Sequence, residues 1–285
     1  MRNKLFTVIL AVHRSPECLP FAVASVLAQQ LHDFDLYIVC DGAPKETVDV
    51  ANQLALKDER VHVRSHPKGQ RHGELYRHSV LQETSSEYIA HIADDDLWMS
   101  NHLSELAKLL AECDFGNLLH VFIDQDGVIK THPYDLGDAY VRQKMLTKIF
   151  NFFGPSVAGY RRTLYEKMPI GWSPAPEGIH ADLYMWRKIL AVPNVKVATR
   201  FVATSIVLPT TLHGNKPLEE RRQDMNFWWQ KIQSAEGVEF VQESINAFLV
   251  KKVIKLRRSR RHYRRLSVFR LIENFRATIK KLYKK

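Results

Sequence analysis

Apolar residues gather in short clusters along the first hundred positions. Leu5 to Val12 is a nearly unbroken apolar run of strand length, rich in β-branched residues. Asp35 to Cys40 and Tyr88 to Ala93 repeat the pattern, and each predicts a buried strand. Between them, Pro16–Gln30, Lys45–Leu56 and Glu74–Thr84 space their apolar positions as helices do, and Arg60–Arg64 reads as one more short strand. Asp41-Gly42-Ala43-Pro44, Gly69 and Gly73 mark the turns. The order β-α-β-α-β-α-β at this spacing predicts an α/β fold, a parallel sheet with helices on both faces. Ligands bind outside the carboxyl ends of the strands in such sheets. Three of those ends are polar, His13-Arg14, Asp41-Gly42 and Asp94-Asp95-Asp96, and they are expected to converge.

The second half is less regular. Ser100–Cys113, Ala139–Phe152 and Ala181–Ala191 read as helices. Leu118–Asp124 and Val128–His132 flank Gln125-Asp126-Gly127, a hairpin signal. Gly154–Tyr160 leads into Arg161–Met168, and two short strands are expected near Val195 and Val202. No repeat, low-complexity segment or sharp linker precedes residue 236.

Composition adds little until charge is split by position. Hydrophobic residues make up 45% and charged residues 25% of the 285, ordinary for a globular chain. Residues 251–285 hold fifteen Lys/Arg and one acid, Glu273, hence +14; the other 250 hold 26 basic and 30 acidic residues, hence −4. The body is therefore not a nucleic-acid-binding surface by charge. Cys18, Cys40 and Cys113 show no paired or metal-ligand spacing and suit a reducing compartment. The run Leu5–Val12 is too short for a signal peptide's core, and no apolar stretch approaches the ~18 residues of a membrane span. A cytoplasmic chain is the expectation.

Three adjacent carboxylates repel one another, and on a strand they would alternate faces. Asp94-Asp95-Asp96 at a strand end therefore points to a backbone turn and to a bound cation. Mg²⁺ and Mn²⁺ prefer oxygen ligands and commonly take one or two carboxylates together with substrate phosphates. The competing reading is a helix cap, with Asp96 or Ser100 at the N-terminus of the helix that follows.

Four stretches carry a resemblance. T-V-I-L-A-V-H-R (7–14), F-A-V-A-S-V-L-A-Q-Q (21–30), L-Y-I-V-C-D-G-A (36–43) and G-E-L-Y-R-H-S-V-L-Q-E-T-S-S-E-Y-I-A-H-I-A-D-D-D-L-W (73–98) resemble, in order and spacing, the motifs of the inverting family 2 glycosyltransferases of the GT-A fold. The similarity runs over about residues 5–215 and is of the bacterial surface-polysaccharide type. It implies a GT-A domain over 1–215, with a nucleotide-sugar half to about 115 and an acceptor half from 116. A helical region with a basic tail would occupy 216–285.

The resemblance also implies roles. Asp94 would lie nearest the ribose of the donor, Asp95 would bind Mg²⁺ or Mn²⁺, and Asp96 would be a second ligand or a turn-stabilising residue. Ala93 stands where the family pattern has its first acid, which leaves the choice among the three open. Asp41 matches the acid that reads the nucleobase, with Cys40 in place of its usual acidic neighbour; the one carboxylate left suffices for a contact to uracil, and a UDP-sugar is the favoured donor. The bland alternative for Asp41 is a turn residue before Gly42. His13, Arg14 and Arg71 are candidate contacts to the nucleotide-sugar, against a solvated surface role for the two arginines. P-E-G-I-H-A-D-L-Y-M-W-R-K-I-L (176–190) resembles the helix bearing the catalytic base, which makes Asp182 that base, His180 the runner-up and helix capping the alternative. F-F-G-P-S-V-A-G-Y-R-R-T-L-Y-E-K-M (152–168) matches the acceptor side. L-P-T-T-L-H-G-N (208–215) matches the segment over the donor, where His213 would touch metal or diphosphate or serve the fold alone.

The tail is a separate matter. Leu266, Phe269, Ile272, Phe275, Ile279 and Leu282 share one helical face opposite Arg270, Arg276, Lys280 and Lys284, preceded by K-L-R-R-S-R-R-H-Y-R-R (255–265). A basic amphipathic helix reads as a membrane-surface element, here on the inner face of the cytoplasmic membrane. Few aromatic residues and an acidic body weigh against nucleic acid; packing on the chain's own domain is the third option.

Transfer of a sugar to a hydroxyl of a glycan or lipid-linked acceptor is thus the leading function. A nucleotidyltransferase would need a glycine-rich basic loop after the first strand, where this chain has H-R-S-P-E. A degenerate binding module would explain Ala93, Cys40 and Ala181, but Asp41, Asp95 and Asp182 are retained.

Overall fold

The computed structural model of the chain describes residues 4–282, with side chains through Arg258. Two compact units divide it, Met1–Phe240 and Val241–Lys285. The amphipathic face from Leu266 to Leu282 lies outside the described side chains.

The elements run β1 (Phe6–Val12), α1 (Leu19–Leu27), β2 (Phe34–Asp41), α2 (Lys45–Ala55), β3 (Val61–His66), α3 (Glu74–Glu83), β4 (Tyr88–Ala93) and β5 (Asp96–Trp98). Then come α4 (His102–Glu112), β6 (Phe115–Leu118), β7 (Val121–Ile123), β8 (Ile129–Thr131), α5 (Ala139–Thr147), β9 (Ala158–Arg161) and α6 (Arg162–Tyr165). The order closes with α7 (Ala181–Leu190), β10 (Val197–Arg200), β11 (Ser205–Val207), α8 (Thr210–His213), α9 (Leu218–Ile232) and α10 (Ala235–Leu282). No helix among the described residues is long and apolar enough to cross a membrane.

Seven strands form the main sheet in the order β10-β6-β9-β4-β1-β2-β3. β1 pairs in parallel with β2 on one side and β4 on the other, so the order of the strands, not their direction, changes sense at β1. That reversal opens a crevice at the carboxyl ends of β1 and β4. The sheet is parallel except at β9, which runs antiparallel to both β4 and β6. β1 is buried along almost its whole length, as expected of a strand covered on both faces. Gly116 allows β6 to lie against β10, since a Cβ there would stand 2.7 Å from the Ala198 carbonyl oxygen.

A second sheet, β5-β11-β7-β8, contains the expected hairpin as its antiparallel β7–β8 pair, but its assembly with β5 and β11 was not foreseen. β5 starts at Asp96, so the acidic run closes one strand and opens another. The expected strand over 118–124 splits, because β6 ends in the main sheet at Leu118 and β7 begins in the small one at Val121. The helix expected over 139–152 stops at Thr147. Lys148 is extended (φ −124°, ψ 158°), and the adjacent Phe152 and Phe153 are both buried, which extended backbone permits because successive side chains point to opposite faces. They pack with Phe115 and Trp186 between the sheet and α7. Deleting a ring of this kind from a core costs about 3–5 kcal/mol.

Candidate active site

β4 delivers the acidic run to the crevice. Asp94 and Asp95 form a tight turn, after which the chain enters β5. Ser156, just ahead of β9, fixes this turn: its Oγ accepts the Ala93 N–H at 2.9 Å and donates to Asp96. Asp96 Oδ1 also accepts the Leu208 N–H at 3.0 Å. Asp96 thereby ties the turn to β9 and β11, and burial, with Asp95 beside it, pushes its pKa up. Its bonds are those of a residue that holds the turn.

Asp94 and Asp95 are 3% and 4% exposed, and arginines meet both. Arg14, two residues beyond β1, grips Asp94 with Nε and Nη2 at 2.8 and 2.7 Å. Its Nη2 also lies 3.0 Å from Asp95 Oδ2. Arg221 of α9 donates to the same oxygen at 2.8 Å, and the Thr210 hydroxyl adds a bond of 3.1 Å. Burial opposes the charge on Arg14, but Asp94 and Asp95 outweigh it and raise its pKa. Two guanidinium groups thus balance two carboxylates.

Asp41 ends β2 and is buried. Lys68 Nζ bonds its Oδ2, and the Gly69 N–H donates to Oδ1 at 2.6 Å. Gly42 and Gly73 have φ of +61° and +69°; a Cβ on Gly73 would come within 2.8 Å of the Asp41 carboxyl carbon. Two glycines therefore let the loop fold over this carboxylate.

A cavity of about 350 Å³ runs along these strand ends, lined by His13, Arg14, Asp41, Arg77, Asp94 and Asp182 among others. Burial lowers the His13 pKa. Asp182 enters from the first turn of α7. Its Oδ2 accepts from Asn151 Nδ2 at 2.8 Å and its Oδ1 from the Leu183 N–H at 2.7 Å. Burial raises its pKa, which suits a carboxylate that must take a proton. A second cavity, about 570 Å³, adjoins the first; Ala93, Pro155, His180, Asp182 and Thr210 line both.

Two candidates stand elsewhere. Arg71, at φ +63°, sends its guanidinium to the Ile179 carbonyl at 3.3 Å and does not line the cavity. His213 bonds the Ile123 carbonyl through Nε2 at 3.0 Å and its Nδ1 faces Asp224 at 3.9 Å, so it anchors α8 to the small sheet and is not turned to the carboxylates. Arg77, Lys68, Asn151 and Arg221 went unselected in the sequence. Arg77 had a signal, since it fills the arginine position of the block at 73–98. It lies 4.9 Å over the Trp172 ring and bonds the His72 carbonyl. Arg221 had none, being one basic residue in the polar run E-E-R-R-Q-D.

Mg²⁺ and Mn²⁺ ask for one or two carboxylate oxygens and complete their shell with phosphates and water. Asp95 meets that demand, yet among the described residues no three His, Cys, Asp or Glu side chains are gathered for a metal. With Arg14 and Arg221 already balancing the charge, the residues fit a cation that arrives with phosphate oxygens, and Asp95 would be its protein ligand.

The sheet order and its flanking helices define the class of fold, the mixed α/β GT-A type. Residues 7–168 match the model of glycosyl transferase family 2, and the chain belongs to that family. It is similar to the succinoglycan biosynthesis protein ExoW of Rhizobium meliloti (strain 1021), 30% identical over 120 residues that cover 40% of this chain and 38% of ExoW. The match thus spans well under half the length of that relative. Among solved structures, the mannosyltransferase PcManGT from Pyrobaculum calidifontis, in complex with GDP-Man and Mn²⁺, superposes with a TM-score of 0.54 at 14% identity, over 85% of this chain and 69% of that one. TarS of S. aureus gives 0.55 at 14% identity, over 86% and 42%. These likenesses speak to the fold.

Proposed function

We propose that the chain transfers a sugar from a nucleotide-diphosphate sugar, a UDP-sugar by preference, to a hydroxyl of a glycan or lipid-linked acceptor, with inversion and with Mg²⁺ or Mn²⁺, in the synthesis of a cell-surface polysaccharide. One observation carries the reading: Asp182 stands in the wall shared by two cavities, and the acidic turn lies between them, with Asp94 and Arg14 lining the first and Asp95 the second. ExoW is named for succinoglycan biosynthesis, and TarS has been solved with UDP and with UDP-GlcNAc, which favours this class of donor and product.

The chain's own residues divide the work. Asp41 accepts from the nucleobase ring N–H, while Lys68 and Gly69 hold its carboxylate in place. Asp94 and His13 face the ribose and diphosphate side of the first cavity, and Arg14 and Arg221 stand ready to pair with phosphate oxygens. A bound cation at Asp95 would stabilise charge on the departing diphosphate. Asp182 takes the proton of the acceptor hydroxyl. That oxygen bonds the anomeric carbon as the carbon–diphosphate bond breaks, and the electron pair leaves with the nucleoside diphosphate. One displacement inverts the anomeric centre. Asn151 and the Leu183 N–H orient the carboxylate of Asp182, so they are positioning groups.

Calorimetry with UDP, GDP and dTDP, each with and without Mn²⁺, tests the reading. One nucleotide is expected to bind more tightly with Mn²⁺, and Asp95→Ala should abolish that gain. Equal or absent binding in every case would refute the donor site. Binding without any turnover of nucleotide-sugars would instead favour a non-catalytic module, to which Ala93, Cys40 and Ala181 also point.

A further inference from the structure

Helix α5 and the segment after it set apolar side chains beside cations on the surface. Val141 and Met145 turn inward, while Tyr140 is 74% exposed and Leu146 also reaches solvent. The chain then runs through extended Lys148 to Ile149, which is 70% exposed, and to half-buried Phe150. Tyr134 joins them, exposed and edge-on to Phe150 at 5.2 Å. Single exposed apolar side chains are ordinary, but five on one short stretch of chain are not. Lys144 Nζ lies 3.7 Å over the Phe150 ring and 5.9 Å over that of Tyr134, and Lys148 is exposed. Arg142 bonds the Leu136 and Gly137 carbonyls at 3.0 and 2.6 Å. Arg187 of α7 bonds those of Met145 and Lys148 at 2.8 and 2.7 Å. Residues 139–150 contain no acid. The acids just before them, Asp135 and Asp138, accept from the Gly137 and Tyr140 N–H groups at the start of the helix.

Resting on the lipid-linked acceptor of the reading above, we propose that this patch is a membrane-contact surface of the catalytic unit, fitted to an anionic bilayer. Tyrosine has an apolar ring and a polar tip, and such rings concentrate at the level of lipid headgroups. Long basic side chains lay their apolar stems on a surface and keep their charged ends outward, where lipid phosphates lie. Leu146, Ile149 and Phe150 supply the apolar groups that enter the boundary between headgroups and acyl chains. The charge has the right sign, since the four cations here outnumber the two acids, although the chain before residue 251 carries −4. A second copy of the chain suits the patch less. A two-fold contact would bring Lys144 and Lys148 together from both sides, with too few apolar side chains for the ~800 Å² that each partner of a stable pair buries. Ile149 and Phe150 also line the second cavity. A bilayer on this face therefore brings lipid headgroups to the mouth of that cavity. The basic segment 251–285 is expected to supply attraction, and the patch decides which side of the catalytic unit meets the lipid.

Depth labelling of the full chain tests this. Cys18, Cys40 and Cys113 are buried, so Ile149→Cys takes a single environment-sensitive fluorophore. Leu56, 88% exposed at the end of α2, gives the control Leu56→Cys. Circular dichroism checks that each labelled protein is folded. On phosphatidylglycerol vesicles at low salt, doxyl lipid labelled near the headgroup is expected to quench the fluorophore at 149 at least twofold more than the one at 56. The double variant Tyr140→Ser, Ile149→Ser changes two exposed side chains and should weaken vesicle binding at least threefold while the UDP affinity stays unchanged. No vesicle binding, equal quenching at both positions, no quenching at 149, or full vesicle binding by the double variant would each overturn the inference. A shift of the 149 emission that grows with protein concentration without vesicles would overturn it in favour of a second copy. Calorimetry with UDP is read separately: absence of UDP binding would bring down the reading above, and the quenching would still decide the contact.

Discussion

Asp182 shows how much a single residue's surroundings contribute. A carboxylate in water is a poor base near neutral pH, because its pKa is about 4. Burial in the wall between the cavities raises it, and the bonds from Asn151 and the Leu183 N–H keep the charged form from becoming prohibitive. Two consequences follow for the reaction. Asp182→Asn should lower kcat by roughly 10²–10⁴-fold while leaving nucleotide affinity unchanged. In the parent chain kcat should fall as the pH drops through the raised pKa, since only the deprotonated form accepts the proton. Asn151→Ala removes a donor to that form, so the acid limb should move to higher pH. Steady-state rates against pH for the three proteins decide this; an unshifted limb in both variants would exclude Asp182 as the base.

Elements matter through what they bring from a distance. Turn, α8 and α9 together supply Leu208, Thr210 and Arg221 to the acidic run, and α9 contributes the group that completes the charge balance at Asp95. Divalent cations must compete with two guanidinium groups there. The intact chain should therefore bind little Mn²⁺ alone at about 0.1 mM and bind it readily once UDP supplies phosphate oxygens for both the metal and the arginines. Arg221→Met keeps the apolar stem of the side chain and removes its charge. Because Arg14 remains, the variant should lose less than the ~3–5 kcal/mol of a fully orphaned buried charge. It should also bind Mn²⁺ at least tenfold more tightly without nucleotide. Electron paramagnetic resonance of free Mn²⁺ reads both proteins; equal Mn²⁺ affinity with and without UDP in the parent chain would contradict the account.

At the scale of the whole molecule, charge is divided along the chain. The last 35 residues carry +14 and the rest −4. The backbone of α10 is helical through Leu282, which suits the amphipathic pattern of the tail, and no described helix spans a bilayer. We propose that the 251–285 segment holds the enzyme on an anionic membrane surface, where a lipid-linked acceptor would be found. Each Lys or Arg near such a surface is worth about 1 kcal/mol. The full chain should float with phosphatidylglycerol vesicles at low salt and be released by 0.5 M salt, as exposed charges screened over a Debye length of about 3–10 Å require. A chain ending at residue 250 should stay behind, and equal flotation of both would remove the tail from this role.

Much of the fold was legible in the sequence. Short apolar runs and period-3.6 patterns are local, so β1 through β4 and their helices could be read from neighbours a few residues apart. The polar ends of β1, β2 and β4 could be placed together because a parallel sheet aligns the carboxyl ends of its strands. Short strands such as β5 and β11 have too few residues to show a period, so of the small sheet only the β7–β8 hairpin was read. Helix α5 was read too long because Val141, Met145 and Phe152 keep helical spacing past the point where Phe153 must also be buried.

The sequence by itself determined the α/β order, the place of the acidic run at a strand end, the candidacy of Asp41, Asp95 and Asp182, and the split of charge. Tertiary structure alone decided what those side chains touch. Arg14 and Asp94 are 80 residues apart, Arg221 and Asp95 are 126 apart, and Asn151 and Asp182 are 31 apart. It turned Arg71 to the Ile179 carbonyl and His213 to Ile123, and it placed Arg77 in the cavity. The physical reason is range. A local pattern reports which face of an element is apolar, whereas a charge partner is selected by whichever chain segment the folded core brings within about 3 Å.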